Sequence, residues 1–485
     1  MWLIFLLFLA SSFCLRAELL FVTPAGAGAT TGSDWSNAFA GMGDLVWGGG
    51  AGQLGAGDTL YIAGGTYTNA NNLELLGNGT LGNLIRIKRA RATNSECADA
   101  VGWSGAFDDQ VVISVGGWGI WSQETSPTSP SGRYLEMDGI ITDGIRLNLV
   151  QNSQATGIRL RSQGAFNSSF RNIGIYGPST NATAGLSYAW TNDVRGIFIS
   201  GYSIGNWTNG VSVYPSDITF DNCTIAGVVS SIYATGTQRL TFQSNNIHTI
   251  EGNSGGFHAN IGYFSRCMDL TFRHNEVHNS SGITGLFFTY SGDDGVNSSN
   301  IFIHGNIFRD GRGTDSTIKV RQDSTNQGPF YIYNNTFVNM YYGVLIQGPL
   351  NPLGQSFIRN NFFVGMGSSA IAIEAGFDTY VTTNHNHFTT STGSTNFIDW
   401  GATNVLGGVE GWKWVRNLRL ASGATPINLG TNLGSIYALD KDSQTFGADG
   451  TWDLGAYEFA QTLGGHTTTA RLGGGKAVGA GGGRR

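Results

Sequence analysis

The chain has 485 residues and a formal net charge of −6 at neutral pH; charged residues make up 12% of it and hydrophobic residues 40%. So few charges and so much apolar material exclude a disordered polyelectrolyte, and the acidic balance argues against a nucleic-acid partner. With 73 Gly, only 9 Pro and abundant Asn, Ser and Thr, the composition describes ordered, turn-rich β structure.

Residues 1–17 read MWLIFLLFLASSFCLRA. An apolar core followed by small residues, with Ala17 before the cleavage point, predicts a secretory signal peptide. The run is short for a membrane span, and no later segment approaches one. The expected mature protein starts near Glu18 and is secreted, periplasmic or held at the cell surface. Cys14 falls in the leader, which leaves Cys97, Cys223 and Cys267. An odd number does not make a disulfide framework.

Residues 18–133 open with LLFVTPAGAG, then SDWSNAF and GDTLYIAGGTY. They predict a strand, a Gly-rich loop, a short helix from Ser33 and a strand pair turning at Gly64 and Gly65. This order of motifs resembles the opening of secreted bacterial right-handed parallel β-helix proteins of the pectate-lyase-like superfamily. The resemblance implies that this region starts and caps a coil. IRIKRARA (85–92) alternates Ile with Arg86 and Lys88 and predicts a strand with a charged outer face. VVISVGGWGIW (111–121) predicts a further rung, and 124–132 a loop.

Residues 134–400 repeat themselves. TFQSNNI, TFRHNEV, IFIHGNIF, YIYNNTF, FIRNNFF and TTNHNHF bring Asn245, Asn275, Asn306, Asn335, Asn361 and Asn386 into one column. Ile173, Tyr202 and Cys223 extend that column upstream. A period this long with short β-type runs predicts stacked units that bury a continuous core only together. The fold class expected is all-β: a right-handed parallel β-helix of about nine or ten rungs with caps at both ends. The Asn column is expected as a side-chain ladder at a turn, because Asn tolerates left-handed backbone and bonds locally. Residues 401–459 end in DLGAYE and resemble the closing segment of the same superfamily, which implies a cover for the last rung's open strand edges. Residues 460–485 are Gly-rich and basic, a flexible tail.

No compact catalytic motif is present, so chemistry is sought as a strip on the coil face. In STIKVRQ, Ile318 and Val320 point in while Lys319 and Arg321 point out. Aligning the runs from Gly256, Gly285, Ser316, Gly343 and Ala370 places His258 and Asn260 on the same outer face. Tyr290, Asp293 and Asp294 fall in the rung between, and Gln347 and Glu374 in the next two. Such a strip suits a polysaccharide carrying uronic acids. The resemblance implies lyase roles for basic residues on the coil face, sometimes with Ca2+ held by carboxylates. On that reading Arg321 neutralises the uronate, Lys319 is the base, and His258 is an auxiliary acid or base. Tyr290, Asn260, Gln347 and Glu374 bind substrate, and Asp293 and Asp294 are the candidates for Ca2+. Two alternatives stand beside it. A polygalacturonase-like hydrolase would use the carboxylates of Asp293, Asp294 and Glu374. A non-catalytic, adhesin-like binding solenoid would show an exposed strip of Asn, Thr and aromatics without convergent titratable groups, and Tyr341, Tyr342 and Trp118 to Trp121 offer sugar-stacking platforms to any of the three.

Overall fold

The computed structural model describes residues 17–68, 72–122, 132–150, 155–161, 166–178, 193–201, 214–250, 259–280, 284–289, 298–311, 316–321, 327–347, 355–390, 395–406 and 412–459. The expected leader, the 124–132 loop and the 460–485 tail lie almost wholly outside them.

The chain winds as a right-handed parallel β-helix with three sheets along its sides. Each coil passes through sheet II, then sheet III, then sheet I. One coil runs Ser216–Asp221, Thr224–Ala226 and the first part of Ser230–Gln243; a later one runs Ile301–His304, Ile307–Arg309 and Ser316–Arg321. Each strand pairs in parallel with the strand one coil on, as Ile303 does with Ile332 and Phe308 with Phe337. Sheet III has eleven strands among the described residues, from Gly65–Tyr67 to His387–Thr389. That is one more than the upper end of the nine or ten rungs expected.

Alternation explains the core. In Ser316–Arg321, Ile318 and Val320 are fully buried and Lys319 is not. Because registers are kept from coil to coil, like side chains stack. Phe308, Phe337, Phe363 and Phe388 follow one another at 5.1, 4.6 and 5.3 Å between rings. A fully buried Phe contributes about 2–3 kcal/mol, and each coil presents the next with a matching surface.

The Asn column is a continuous buried ladder. Asn275 Nδ2 donates to Asn306 Oδ1 (3.1 Å) and to the Phe242 carbonyl (2.9 Å). Asn306 repeats this toward Asn335 and Phe272, and Asn335 toward Asn361 and Ile303. Each Oδ1 also accepts the backbone N–H of the Asn one coil back. The left-handed backbone, expected at the ladder Asn itself, belongs to the residue before it: Ser244, His274, Gly305, Asn334, Asn360 and His385. Upstream, Cys223 occupies the column, its N–H donating to Asn245 Oδ1 at 2.9 Å. Ile173 comes next, because Gly174 pairs directly with Thr224. No coil intervenes for Tyr202, which lies outside the described residues.

At the start, Phe39, Met42, Leu45 and Leu54 join the main core. The helix expected from Ser33 is a 3-10 turn, Trp35–Asn37. Trp35 packs with Phe21, Tyr61 and Phe107 on the outer side of sheet II, and its indole N–H donates to the Cys97 carbonyl at 2.7 Å. Cys97, Cys223 and Cys267 are all free and buried. Arg86 faces out beside Glu136, whereas Arg89 is buried and donates to the Asp108 and Asp109 carbonyls.

The closing segment departs from expectation. Its described part from Asn417 to Phe459 does not cover the last rung but lies along the flank where sheets II and III meet. Leu418, Leu420, Leu454 and Tyr457 pack against Ile307, Val338 and Phe362, and Tyr437 and Trp452 against Tyr333. The left-handed residues beside the ladder pin this strap. Asn360 exchanges two hydrogen bonds with Thr431 (2.7 and 3.0 Å), Asn334 donates to the Asp453 carbonyl (3.2 Å), and Lys441 Nζ donates to the His274 carbonyl (2.6 Å). The outward polar and aromatic groups of these turns need partners once buried, and the strap supplies most of them, Asn334 Oδ1 excepted.

Two predictions follow from this packing. Asn306→Ala removes the acceptor shared by the Asn275 N–H and Nδ2, so chemical denaturation should show a loss of about 2–4 kcal/mol. Unchanged stability would remove the ladder from the load-carrying contacts. The second concerns pH. Burial holds His274 down at about 4 and His304 at about 3. Both are neutral under the strap and take up protons below about 6.5 once released, so their share of the stability is lost as pH falls from 6.5 through those values. Burial raises Asp440 to about 6 and Glu458 to about 7; their share is present at low pH and fades as pH rises through those values. Melting curves should therefore fall less between pH 6.5 and 4 in His304→Gln than in the parent chain.

Candidate functional site

The outer face of sheet I carries a column of side chains set by strand register. Glu74 pairs with Trp121, Trp121 with Arg159, Arg159 with Phe198, Phe198 with Tyr233, Tyr233 with Tyr263, Tyr263 with Phe287, and Phe287 with Lys319. Leu345 and Ala372 complete it. Every member is partly exposed, while the residues on either side along each strand are mostly core. Small residues two positions ahead let the chain turn into the strand; a Cβ on Gly285 would lie 2.0 Å from the Thr317 carbonyl oxygen.

The middle of the column is aromatic. Phe198, Tyr233 and Tyr263 stack at 5.2 and 4.7 Å, within 10° of parallel, and Arg195 lies 4.7 Å from the centre of the Tyr233 ring. Rings stacked this way turn their faces to one another and offer only edges to solvent. This section joins the two ends and is not itself a stacking platform for a ligand.

At one end, Lys319 Nζ lies 6.0 Å from the centre of the Phe287 ring. Two residues on, Arg321 is exposed and pairs in register with Gln347. Exposed Glu374 is one coil further, its N–H bonded to the Ile346 carbonyl. Lys319, Arg321, Gln347 and Glu374 thus share one face.

At the other end, Trp118 and Trp121 meet at 5.0 Å and 61°. The Arg159 guanidinium lies 3.7 Å from the Trp118 ring. Burial, with Arg161 and Arg195 nearby, lowers Arg159 to about 10, and burial raises the Glu74 carboxyl.

The other sequence-derived site residues fall differently. The alignment of His258 and Asn260 with Lys319 and Arg321 is displaced by five positions. It is Tyr263 that stands in line with Phe287 and Lys319, and Asn260 pairs with Thr284. An odd displacement exchanges inside for outside: Asn260 is 4% exposed, and its Oδ1 is without a partner. The strand here is Asn260–Met268, which bends from sheet I into sheet II without a loop. The small-apolar-any-apolar pattern that starts at Gly196, Ser231, Gly285 and Gly343 marks Phe198, Tyr233, Phe287 and Leu345; Tyr263 follows Ile261 and Gly262, breaks the pattern, and carries no such signal. His258, Tyr290, Asp293 and Asp294 lie outside the described residues. Among the described residues no group of three or more His, Cys, Asp or Glu is placed to hold a metal ion, and no helix is long and apolar enough to cross a membrane.

The longest connections border sheet I. Tyr176 and Arg195 bound one of them and Ser200 and Ser216 another, whereas Asp221 and Thr224 bound the short link between sheets II and III. Rigid strands edged by long connections are where binding groups are usually carried.

No protein-family model matches the chain, and no curated protein sequence matches it significantly. Among solved structures it is similar to the pectate lyase Pel9A, at 13% identity and a TM-score of 0.44, over 91% of this chain and 96% of that one. It is also similar to a rhamnogalacturonan lyase, at 10% identity and a TM-score of 0.38, over 84% and 97%. A lacto-N-biosidase from Eubacterium ramulus follows at 10% identity and a TM-score of 0.36, over 77% and 68%. The parallel β-helix of this chain stands on its own strand pairing.

Proposed function

We propose that this is an exported carbohydrate-binding protein whose sheet I face holds an anionic polysaccharide. The observation that carries the reading is the shared face of Lys319 and Arg321, with Gln347 and Glu374 in the next two coils. Two cations on one strand face meet a uronate carboxylate as a paired clamp. Arg supplies a planar fork, Lys a point charge, and Gln347 a hydrogen-bonding amide one strand spacing of about 4.8 Å away.

Cleavage by β-elimination is the second reading, supported by the same clamp. Drawing charge from the carboxylate makes the proton on the adjacent carbon removable. A base takes that proton, the carbon–carbon double bond forms, and the glycosidic oxygen leaves with a proton from an acid. Lys319 is the residue proposed for the base and His258 for an auxiliary acid or base, and Asp293 and Asp294 are proposed for Ca2+.

Purified protein titrated with polygalacturonate, alginate and hyaluronate tests both readings. Binding to at least one polymer is expected, weakening as salt rises. Lys319→Ala and Arg321→Ala should each lower affinity about tenfold or more, with little change in melting temperature because both face outward. Growing ultraviolet absorbance of an unsaturated product establishes elimination, and its loss with a chelator establishes a Ca2+ requirement. Binding with no absorbance change leaves the binding reading alone. Failure to bind any of the three overturns it.

A further inference from the structure

The far end of the same face holds a cavity of about 350 Å3 between the strands Leu73–Leu75 and Trp118–Ser122 and the segment around Met42. That volume is at the small end of the range for ligand sites. Its walls include the indoles of Trp47, Trp118 and Trp121, with Leu76 also lining it. Trp118 is 39% exposed, whereas the structural Trp35 is 1% exposed. Trp118 and Trp121 form an angled corner, and the guanidinium of Arg159 against the Trp118 ring fixes its orientation.

Two hydrogen-bond acceptors line this cavity. Asn72 Oδ1 is buried and has no hydrogen-bond partner. Glu74 is half-buried in the cavity wall, and among the described residues no ion pair or hydrogen bond engages its carboxyl. An unpaired buried acceptor costs about 1–3 kcal/mol, so a ligand that brings donors recovers that cost.

We infer that this cavity is a separate saccharide site taking one neutral pyranose ring, stacked in the Trp118–Trp121 corner with its hydroxyls donating to Asn72 and Glu74. The chemistry argues for a sugar because it needs aromatic surface for the ring's C–H face together with acceptors for its hydroxyls. It argues for a neutral one because a uronate would set its carboxylate near that of Glu74. The site is distinct from the cationic clamp. Trp121 and Lys319 stand six column positions apart, and at about 4.8 Å per coil the separation is roughly 29 Å.

The experiment titrates the full chain with cellotetraose, mannotetraose and galactotetraose, read by tryptophan fluorescence and calorimetry, with oligogalacturonate as the anionic comparison. At least one neutral tetrasaccharide should bind saturably and shift the fluorescence. Trp118→Ala should lower that affinity about tenfold or more, and Asn72→Ala should lower it without lowering the melting temperature. Lys319→Ala should leave it intact, and Trp118→Ala should leave polyuronate binding intact, so this inference and the clamp fail independently. The inference is overturned by absence of binding to all three neutral probes, by preference for oligogalacturonate at this cavity, or by full affinity in both Trp118→Ala and Asn72→Ala. Should Trp118→Ala fail to fold, the Asn72→Ala titration alone decides.

Discussion

The buried amide ladder at the junction of sheets II and III is the constraint on which the rest of the structure depends. Each ladder Asn joins two coils through its own amide and satisfies backbone groups that the tight turn leaves without strand partners. A buried amide left half-bonded is costly, so the ladder tolerates no slip of one coil against the next. Phases fixed at that corner propagate around the coil. They bring Phe308, Phe337 and Phe363 into one stack inside, and Phe287 and Lys319 into one column outside.

The left-handed residue before each ladder Asn links this constraint to the strap. At that conformation His274, Asn334 and Asn360 each offer polar groups away from the core, and the segment from Thr431 to Gly455 meets them. The strap is therefore registered to the coil by the same periodic feature that registers coil to coil. It buries His304 beneath Tyr437, at 5.1 Å between rings, which makes its docking sensitive to protons. Phe388, at the end of the phenylalanine stack, is 54% exposed.

Sheet I has a different character. Its links to the neighbouring sheets vary in length: Tyr176 and Arg195 bound a long one and Val115 and Trp118 a short one, and Ser230–Gln243 and Asn260–Met268 bend directly into sheet II. Its outer column divides into three chemistries: an indole-lined cavity, a stacked aromatic bridge and a cationic clamp. The bridge has its ring faces occupied by one another, so ligand chemistry is left to the two ends. One face of a rigid solenoid can in this way present two recognition sites at a separation fixed by the coil spacing.

Much of the fold could be read from the chain alone, for a physical reason. From Asn245 onward the ladder demands the same residue type at the same phase in each coil, so Asn275, Asn306, Asn335 and Asn361 recur visibly. Alternation likewise marked Lys319 and Arg321 as outward beside Ile318 and Val320, and placed Gln347 and Glu374 with them. The outer face of sheet I imposes no such identity; its column runs Trp, Arg, Phe, Tyr, Tyr, Phe, Lys, so its phase could be lost at the run from Gly256. Only the hydrogen-bonded register decided that Tyr263 stands beside Phe287. Only tertiary packing decided that the closing segment lies along the flank, because the groups that hold it are turn side chains and carbonyls whose positions follow from the wound coil. The Trp47, Trp118, Trp121 and Glu74 cavity is of the same kind: its walls come from segments distant in sequence, and winding brings them together.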